Sequence, residues 1–209
     1  MKHQAAVVIA SYPVQPETDA TPLDIREHSI GLISVIIGLG LAKLFSGFNR
    51  LMRRRQEIRW NALPLAWALI ALLLVNNYWW GLYLGEVTET AASNADTFLL
   101  GLVLPILLYL ICAAALPDVH ALRGRNLLAA YFVESRYFFI LIVLYILATA
   151  LDTVVHAGAF HWNKNMWLRL VIIGTCTPLI WIRRPWLHWC ATIVVMAIIA
   201  YALFQMTLR

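Results

Sequence analysis

An aspartate and a histidine lie four positions apart in the otherwise apolar stretch ATALDTVVHAG, at residues 148–158. A carboxylate and an imidazole on one helix face can hold an ion, relay a proton or pair with a cation from a neighbouring helix. At about 100° per residue, four polar side chains fall within about 60° of one another on this helix, namely Tyr145, Thr149, Asp152 and His156. A charge at the centre of a bilayer costs roughly 2.5–3.5 kcal/mol. We therefore expect this polar stripe to face other helices rather than lipid.

The next apolar stretch offers a cation for this stripe. Arg169 opens that stretch, and only the short segment FHWNKN separates it from the stripe. A pair between Asp152 and Arg169 would offset the cost of burying each charge. Glu27 and His28 stand at the start of the first apolar stretch on the same side. The sequence thus predicts a convergence of ionisable groups beneath one surface.

Three further polar residues fall within apolar stretches. Asn76 and Asn77 precede the aromatic run YWWGLY, whose Tyr78, Trp79, Trp80 and Tyr83 predict an aromatic belt at the outer surface. Because an amide in hydrocarbon needs hydrogen-bond partners, at least one of the two asparagines should point inward. Lys43 lies seven residues before Arg50, about 10 Å of helix rise from that end. It either extends along the helix toward the headgroups or meets an acidic partner.

The elements that must position these residues are transmembrane helices. The chain has 209 residues, of which 62% are hydrophobic and 13% charged, whereas ordinary soluble domains have roughly 25% charged residues. Stretches long and apolar enough to cross a bilayer, which takes about 20 residues, occur near Ser29–Met52, Leu63–Leu84, Phe98–Leu116, Tyr137–Ala157, Trp167–Ile182 and Leu187–Met206. The predicted fold is an all-α integral membrane bundle of six transmembrane helices.

The connecting segments divide this fold into a tail and one domain. Residues 1–27 form a tail that includes the start of the first helix, where Thr21 would cap and Pro22 would take the first helical position. Residues 28–209 form the six-helix domain. After Gly124, the segment NLLAAYFVESR is predicted to be a short interfacial helix before the fourth span.

The basic residues alternate between loops and predict the topology. Loops one, three and five carry positive charge, whereas loop two, GEVTETAASNAD, has no lysine or arginine and loop four has only Lys164. Short positively charged loops stay cytoplasmic, so both termini should be exported. The net charge of +5 is therefore explained by topology, and we expect no nucleic-acid partner.

The first span also predicts close helix packing. Ser34, Gly38, Ala42 and Ser46 form a ladder of small residues, each four apart, which lets another backbone approach closely. The ladder would pack within the chain or form a contact of a homo-oligomer. Prolines at 105 and 178 should kink the third and fifth spans.

The pattern HSIGLISVIIGLGLAKLFSGFNRL at 28–51, a second span ending in WW, and the later LLAAYFVESRYFF resemble a group of small bacterial six-span inner-membrane proteins. The resemblance covers roughly residues 28–140. It implies the cytoplasmic membrane of a bacterium and no particular chemistry.

Two classes of function fit these residues, and neither is an enzyme, because no GxSG, HExxH, GxxxxGK[ST] or GxGxxG motif is present. In the first, the chain is a small channel or transporter whose outward polar site contains Asp152, His156 and Arg169, continued by Thr149, Tyr145, Asn76 and Asn77. In the second, it is a noncatalytic membrane subunit or sensor, and the stripe is a structural latch or a contact with a membrane protein partner. We expect no metal and no cofactor, and a lipid bilayer as the main partner.

Overall fold

A computed structural model describes residues 22–56, 58–83, 95–117, 126–157, 162 and 164–207. Within these ranges, the side chains of residues 22–29, 95–100, 156–157 and 206–207 are not described. The predicted tail, apart from the helix start, therefore lies outside the described residues. So do the side chains of Glu27, His28 and His156.

The described residues fold into α-helices and one 3₁₀ helix. The helices are α1 (Pro22–Arg53), α2 (Ala62–Tyr83), α3 (Ala95–Ala114), α4 (Leu127–Ala157), α5 (Lys164–Cys176) and α6 (Pro185–Thr207), and the 3₁₀ helix covers Thr177–Ile180. The predicted start of the first helix at Pro22 is confirmed. This is the position at which a proline costs no hydrogen bond, because the first N–H groups of a helix have no acceptor within it.

Four of these helices are long and apolar enough to cross a membrane. They are the segments Ile30–Arg53, Ala62–Tyr83, Leu127–Val155 and Pro185–Gln205, and the part of α3 from Gly101 to Ala114 is a shorter apolar helix. The all-helical class is confirmed, and the helices support a membrane protein. Six spans remain a prediction.

The predicted interfacial helix before the fourth span is wrong. Residues 127–157 form one continuous helix of 31 residues. No glycine or proline interrupts the sequence between Leu127 and Ala157, so nothing stops the helix from continuing. Leu127 and Tyr131, near its start, are buried rather than lying on a surface.

The fifth apolar stretch, for which a kink at Pro178 was predicted, is interrupted there. α5 ends at Cys176, and Pro178 lies in the 3₁₀ turn that follows. The Thr175 and Thr177 hydroxyls donate to the carbonyls of Val171 and Ile173, each at 2.7 Å. By contrast, α3 continues from Ala95 to Ala114 with Pro105 inside it.

Contacts along the helices show how they run relative to one another. Gly40 of α1 lies against Tyr109 and Cys112 of α3, and Gly47 lies against Leu116. Because both residue numbers increase together, α1 and α3 are parallel.

The contacts of α4 show that α2 packs against it and give its direction relative to α5. Trp67 of α2 packs edge-on against Phe138 and Phe139 of α4, with ring centroids 5.8 and 4.8 Å apart. Arg136 donates to the Ile180 carbonyl and Arg169 donates to Thr153. From the first of these two hydrogen bonds to the second, the residue number rises along α4 and falls along α5 and the 3₁₀ helix, so α4 and α5 are antiparallel.

One buried core joins the helices, and α2 and α4 contribute the most side chains to it. Its largest fully buried side chains include Trp67, Phe138 and Phe139. By contrast, the remaining described tryptophans are exposed, as aromatic belts at the two surfaces of a membrane would require.

Candidate functional site

The predicted site is assembled from three helices. α4 contributes Tyr145 and Asp152, α5 contributes Arg169, and α2 contributes a residue that sequence reasoning had assigned elsewhere, Tyr78. Asp152 and Arg169 are both half-buried, and their charges interact electrostatically. We call this group, together with Thr153, the α4–α5 polar cluster.

The shortest described contact of the cluster joins α4 to α5. Arg169 Nη1 donates a hydrogen bond of 2.7 Å to the Thr153 hydroxyl. That hydroxyl in turn donates to the Thr149 carbonyl one turn back, at 2.9 Å. A hydroxyl can accept and donate at once, so Thr153 connects the guanidinium to the backbone of α4. Sequence reasoning missed Thr153 because it lies one position outside the predicted stripe.

Tyr78 of α2 lies beside the Asp152 and Tyr145 side chains of the cluster. Its side chain is only 5% exposed, and it lies within electrostatic range of both Asp152 and Tyr145. The Tyr78 hydroxyl is buried and has no hydrogen-bond partner among the side chains that the structure describes. A buried hydroxyl without a partner is costly and rare.

Tyr78 had been assigned to the outer aromatic belt together with its neighbours. Trp79, Trp80 and Tyr83 are exposed, as a belt requires, but Tyr78 is not. The spacing could have shown this, since Trp67, Leu74 and Tyr78 recur on one helix face at intervals of seven and four residues, and all three are buried.

The other predicted site residues differ in burial and in hydrogen bonding. Tyr145 is buried beside Tyr78. Thr149 is half-buried, but its hydroxyl donates to the Ile146 carbonyl of its own helix at 2.8 Å. Asn77 is half-buried and Asn76 is exposed, in line with the prediction that at least one of the two points inward. His156 belongs to α4, but its side chain lies outside the described residues.

The small-residue ladder of α1 does not pack within the described part of the chain. Gly38, Ala42 and Ser46 are exposed and Ser34 is half-buried, and a Cβ added at Gly38 would meet nothing within 4 Å. The α1–α3 contact uses the opposite face, through Gly40 and Gly47. The prediction of intramolecular packing for the ladder is therefore wrong for the described residues, and the oligomer contact stays a prediction.

No protein family, no curated protein and no solved structure matches this chain. The arrangement of the side chains is therefore what any function must be argued from.

A second polar site lies at the other end of α4. His188 is fully buried, its Nε2 lies 2.9 Å from the Ile182 carbonyl, and its Nδ1 lies 2.9 Å from the Tyr131 hydroxyl. Because a carbonyl only accepts, Nε2 carries the proton, and in the neutral ring Nδ1 accepts from Tyr131. Rings of Phe132 and Phe139 pack edge-on against the imidazole.

This arrangement makes His188 a structural connector of α4, α6 and the segment after the 3₁₀ helix. Both ring nitrogens are occupied by protein partners. The sequence analysis gave His188 no role, and the tertiary structure supplies one.

The described residues contain no group of three or more His, Cys, Asp or Glu side chains that could hold a metal ion. The three cysteines are free. Cys112 and Cys176 are buried, whereas Cys190 is exposed.

Proposed function

We propose that this chain is a small membrane protein that conducts or transports an ion or a small polar solute through the α4–α5 polar cluster. The observation that carries the proposal is the Tyr78 hydroxyl, which is buried without a described partner within electrostatic range of Asp152. Together with the opposite charges of Asp152 and Arg169, it offers a donor, an anion and a cation to a small guest.

The predicted topology supports an outward-opening site, because the cluster belongs to the ends of α4 and α5 that loop four joins. An intramembrane acid paired with a base is a feature of ion and proton paths. A bacterial cytoplasmic membrane, with both termini exported, is the location that the loop charges and the resemblance favour.

A second function is favoured by one contact. The hydrogen bond of 2.7 Å from Arg169 to Thr153 joins α4 to α5 directly, as a structural latch would. In that case the chain is a noncatalytic membrane subunit or sensor, and the cluster stabilises its fold or contacts a membrane protein partner.

Two substitutions separate these functions in purified protein reconstituted into liposomes. Asp152→Asn removes the charge and keeps the shape of the side chain, whereas Thr153→Val removes the hydroxyl that accepts from Arg169 and leaves every charge in place. The flux assay covers proton, Na⁺, K⁺ and Cl⁻ gradients and uptake of glycine as a small zwitterion. Thermal unfolding in detergent is measured in parallel.

A transport site predicts that Asp152→Asn lowers the flux at least tenfold while the melting temperature changes little. A latch predicts that Thr153→Val lowers stability by about 1–3 kcal/mol, the cost of leaving a buried charged donor unpaired, and that the wild type shows no flux above empty liposomes. Lost stability in Thr153→Val together with no flux in the wild type would contradict the transport proposal.

A further inference from the structure

A cavity lies between α1, α3 and α4, at the opposite end of α4 from the polar cluster. Its volume is about 90 Å³, and it is partly open to the surface. This volume is larger than the roughly 10–15 Å³ that one water molecule needs. Its lining combines charged and small residues, namely Lys43, Gly47, Arg50, Cys112, Ala113, Leu116 and Glu134.

The spacing of three α1 residues builds one wall of this cavity. Lys43, Gly47 and Arg50 lie four and seven residues apart and therefore share a helix face. Gly47 lies between the two cations and lines the cavity, and we call the space beside it, which no side chain of residue 47 fills, the notch. A Cβ added at Gly47 would make an ordinary van der Waals contact with the Leu116 side chain, at 3.5 Å.

The lining carries two cations and one carboxylate, so its formal charge is positive. Lys43 is exposed, although it lies within a helix that is long and apolar enough to cross a membrane. Such a cavity attracts a singly charged anion.

The depth of the cavity indicates which anion reaches it. Lys43 lies about 10 Å of helix rise inside Arg50, among exposed apolar side chains of α1 that include Leu39, Phe45 and Phe48. A free phosphate stays in bulk water, whereas the phosphodiester of a membrane lipid is held in the headgroup layer, which the Lys43 ammonium reaches by extending along α1 toward Arg50. Basic pockets between helices are known to hold lipid headgroups.

We propose that the α1–α3–α4 cavity binds the phosphodiester of an anionic phospholipid headgroup, with Lys43 and Arg50 as the cationic ligands and Gly47 as the residue that leaves it room. The site is independent of the α4–α5 polar cluster. The test of lipid binding therefore does not depend on whether that cluster transports a solute.

The test is lipid titration of the full chain in dodecyl maltoside, followed by native mass spectrometry. Phosphatidylglycerol should bind in one saturable step and more tightly than phosphatidylcholine. Lys43→Gln should weaken phosphatidylglycerol binding about fivefold, the effect of one basic residue at a headgroup, and Lys43→Arg should restore it. Gly47→Leu should weaken it as well, because it fills the notch without altering charge.

Arg53→Gln is the matched control, because Arg53 is exposed at the same end of α1 but does not line the cavity. It should change binding less than twofold. Equal loss in Arg53→Gln and Lys43→Gln would show nonspecific attraction and overturn the proposal, as would unchanged binding in both Lys43→Gln and Gly47→Leu. Displacement of the lipid by equimolar glycerol 3-phosphate or inorganic phosphate would overturn the lipid assignment in favour of a soluble phosphate.

Discussion

Two polar side chains of this protein, Tyr78 and His188, are both buried, yet their surroundings differ in one respect. His188 has a protein partner for each ring nitrogen, whereas the Tyr78 hydroxyl has none among the described residues. A buried polar group is stable when it is hydrogen-bonded and costly when it is not. This contrast is why we assign a structural role to His188 and a binding role to the surroundings of Tyr78.

The His188 arrangement leads to a prediction at the residue scale. Tyr131→Phe removes the hydroxyl and leaves Nδ1 of the buried imidazole without its described donor. We expect the free energy of unfolding to fall by about 1–3 kcal/mol, measured as thermal unfolding in detergent.

Tyr137→Phe is the matched control for this change. Tyr137 is 53% exposed on the same helix, so losing its hydroxyl should alter stability by less than about 0.5 kcal/mol. Equal effects of the two substitutions would mean that the Tyr131–His188 bond does not stabilise the fold.

At the scale of elements, α1 has two faces with small residues, and within the described part of the chain only one of them packs against another helix. A Cβ added at Gly40 would lie 3.2 Å from the Tyr109 Cα of α3, closer than an unstrained contact. The approach of two backbones requires glycine there, and close packing is a main source of helix association in lipid. The Gly38 face has no such neighbour.

Gly40 and Gly38 therefore form a matched pair for substitution. Gly40→Leu should push α1 and α3 apart and destabilise the protein by about 1–3 kcal/mol, the usual cost of overpacking. Gly38→Leu has open space around it and should not destabilise the monomer in detergent. Thermal unfolding of the two variants side by side checks this, and equal stability would contradict the described α1–α3 contact.

The break at Pro178 also has a consequence at this scale. The carbonyls near the end of the 3₁₀ helix find partners outside it, since Arg136 of α4 donates to Ile180 and His188 of α6 donates to Ile182. Three segments are thereby joined at one point. The threonines before the proline satisfy carbonyls of their own helix instead.

At the scale of the whole molecule, the helix directions agree with the alternation of loop charges. α1 and α3 are parallel, and α4 and α5 are antiparallel, as consecutive crossings require. The α4–α5 polar cluster and the α1–α3–α4 cavity consequently lie toward opposite ends of α4. If the basic loops are cytoplasmic, the cluster is near the outer surface and the cavity near the inner one.

This topology predicts the outcome of reporter fusions. Alkaline phosphatase, which is active only when exported, should be active when fused after Arg209 and inactive when fused after Arg55. A cytoplasmic reporter such as green fluorescent protein should show the reverse at both positions. Activity of the exported reporter at Arg55 would contradict the assignment of the first loop to the cytoplasm.

Much of the architecture followed from the order of residue types. Long apolar stretches must become helices in a bilayer, because only internal hydrogen bonds can satisfy their backbone groups, and four of the six predicted spans are helices long and apolar enough to cross a membrane. Pro22 and Pro178 marked a helix start and a helix break for the same reason, since proline has no N–H to donate. The prediction of a separate interfacial helix was wrong because no residue in the sequence around Arg136 could end α4.

The candidate site was only partly predictable. Periodicity brought Tyr145 and Asp152 onto one face of α4 and placed Arg169 nearby, because these relations depend on local helix geometry. The positions of Tyr78, Thr153 and His188, and the choice between Gly40 and Gly38 as the packed glycine, depend on how helices rotate about their axes to pack. That rotation is set by contacts between residues far apart in the chain, so only the tertiary structure decided it.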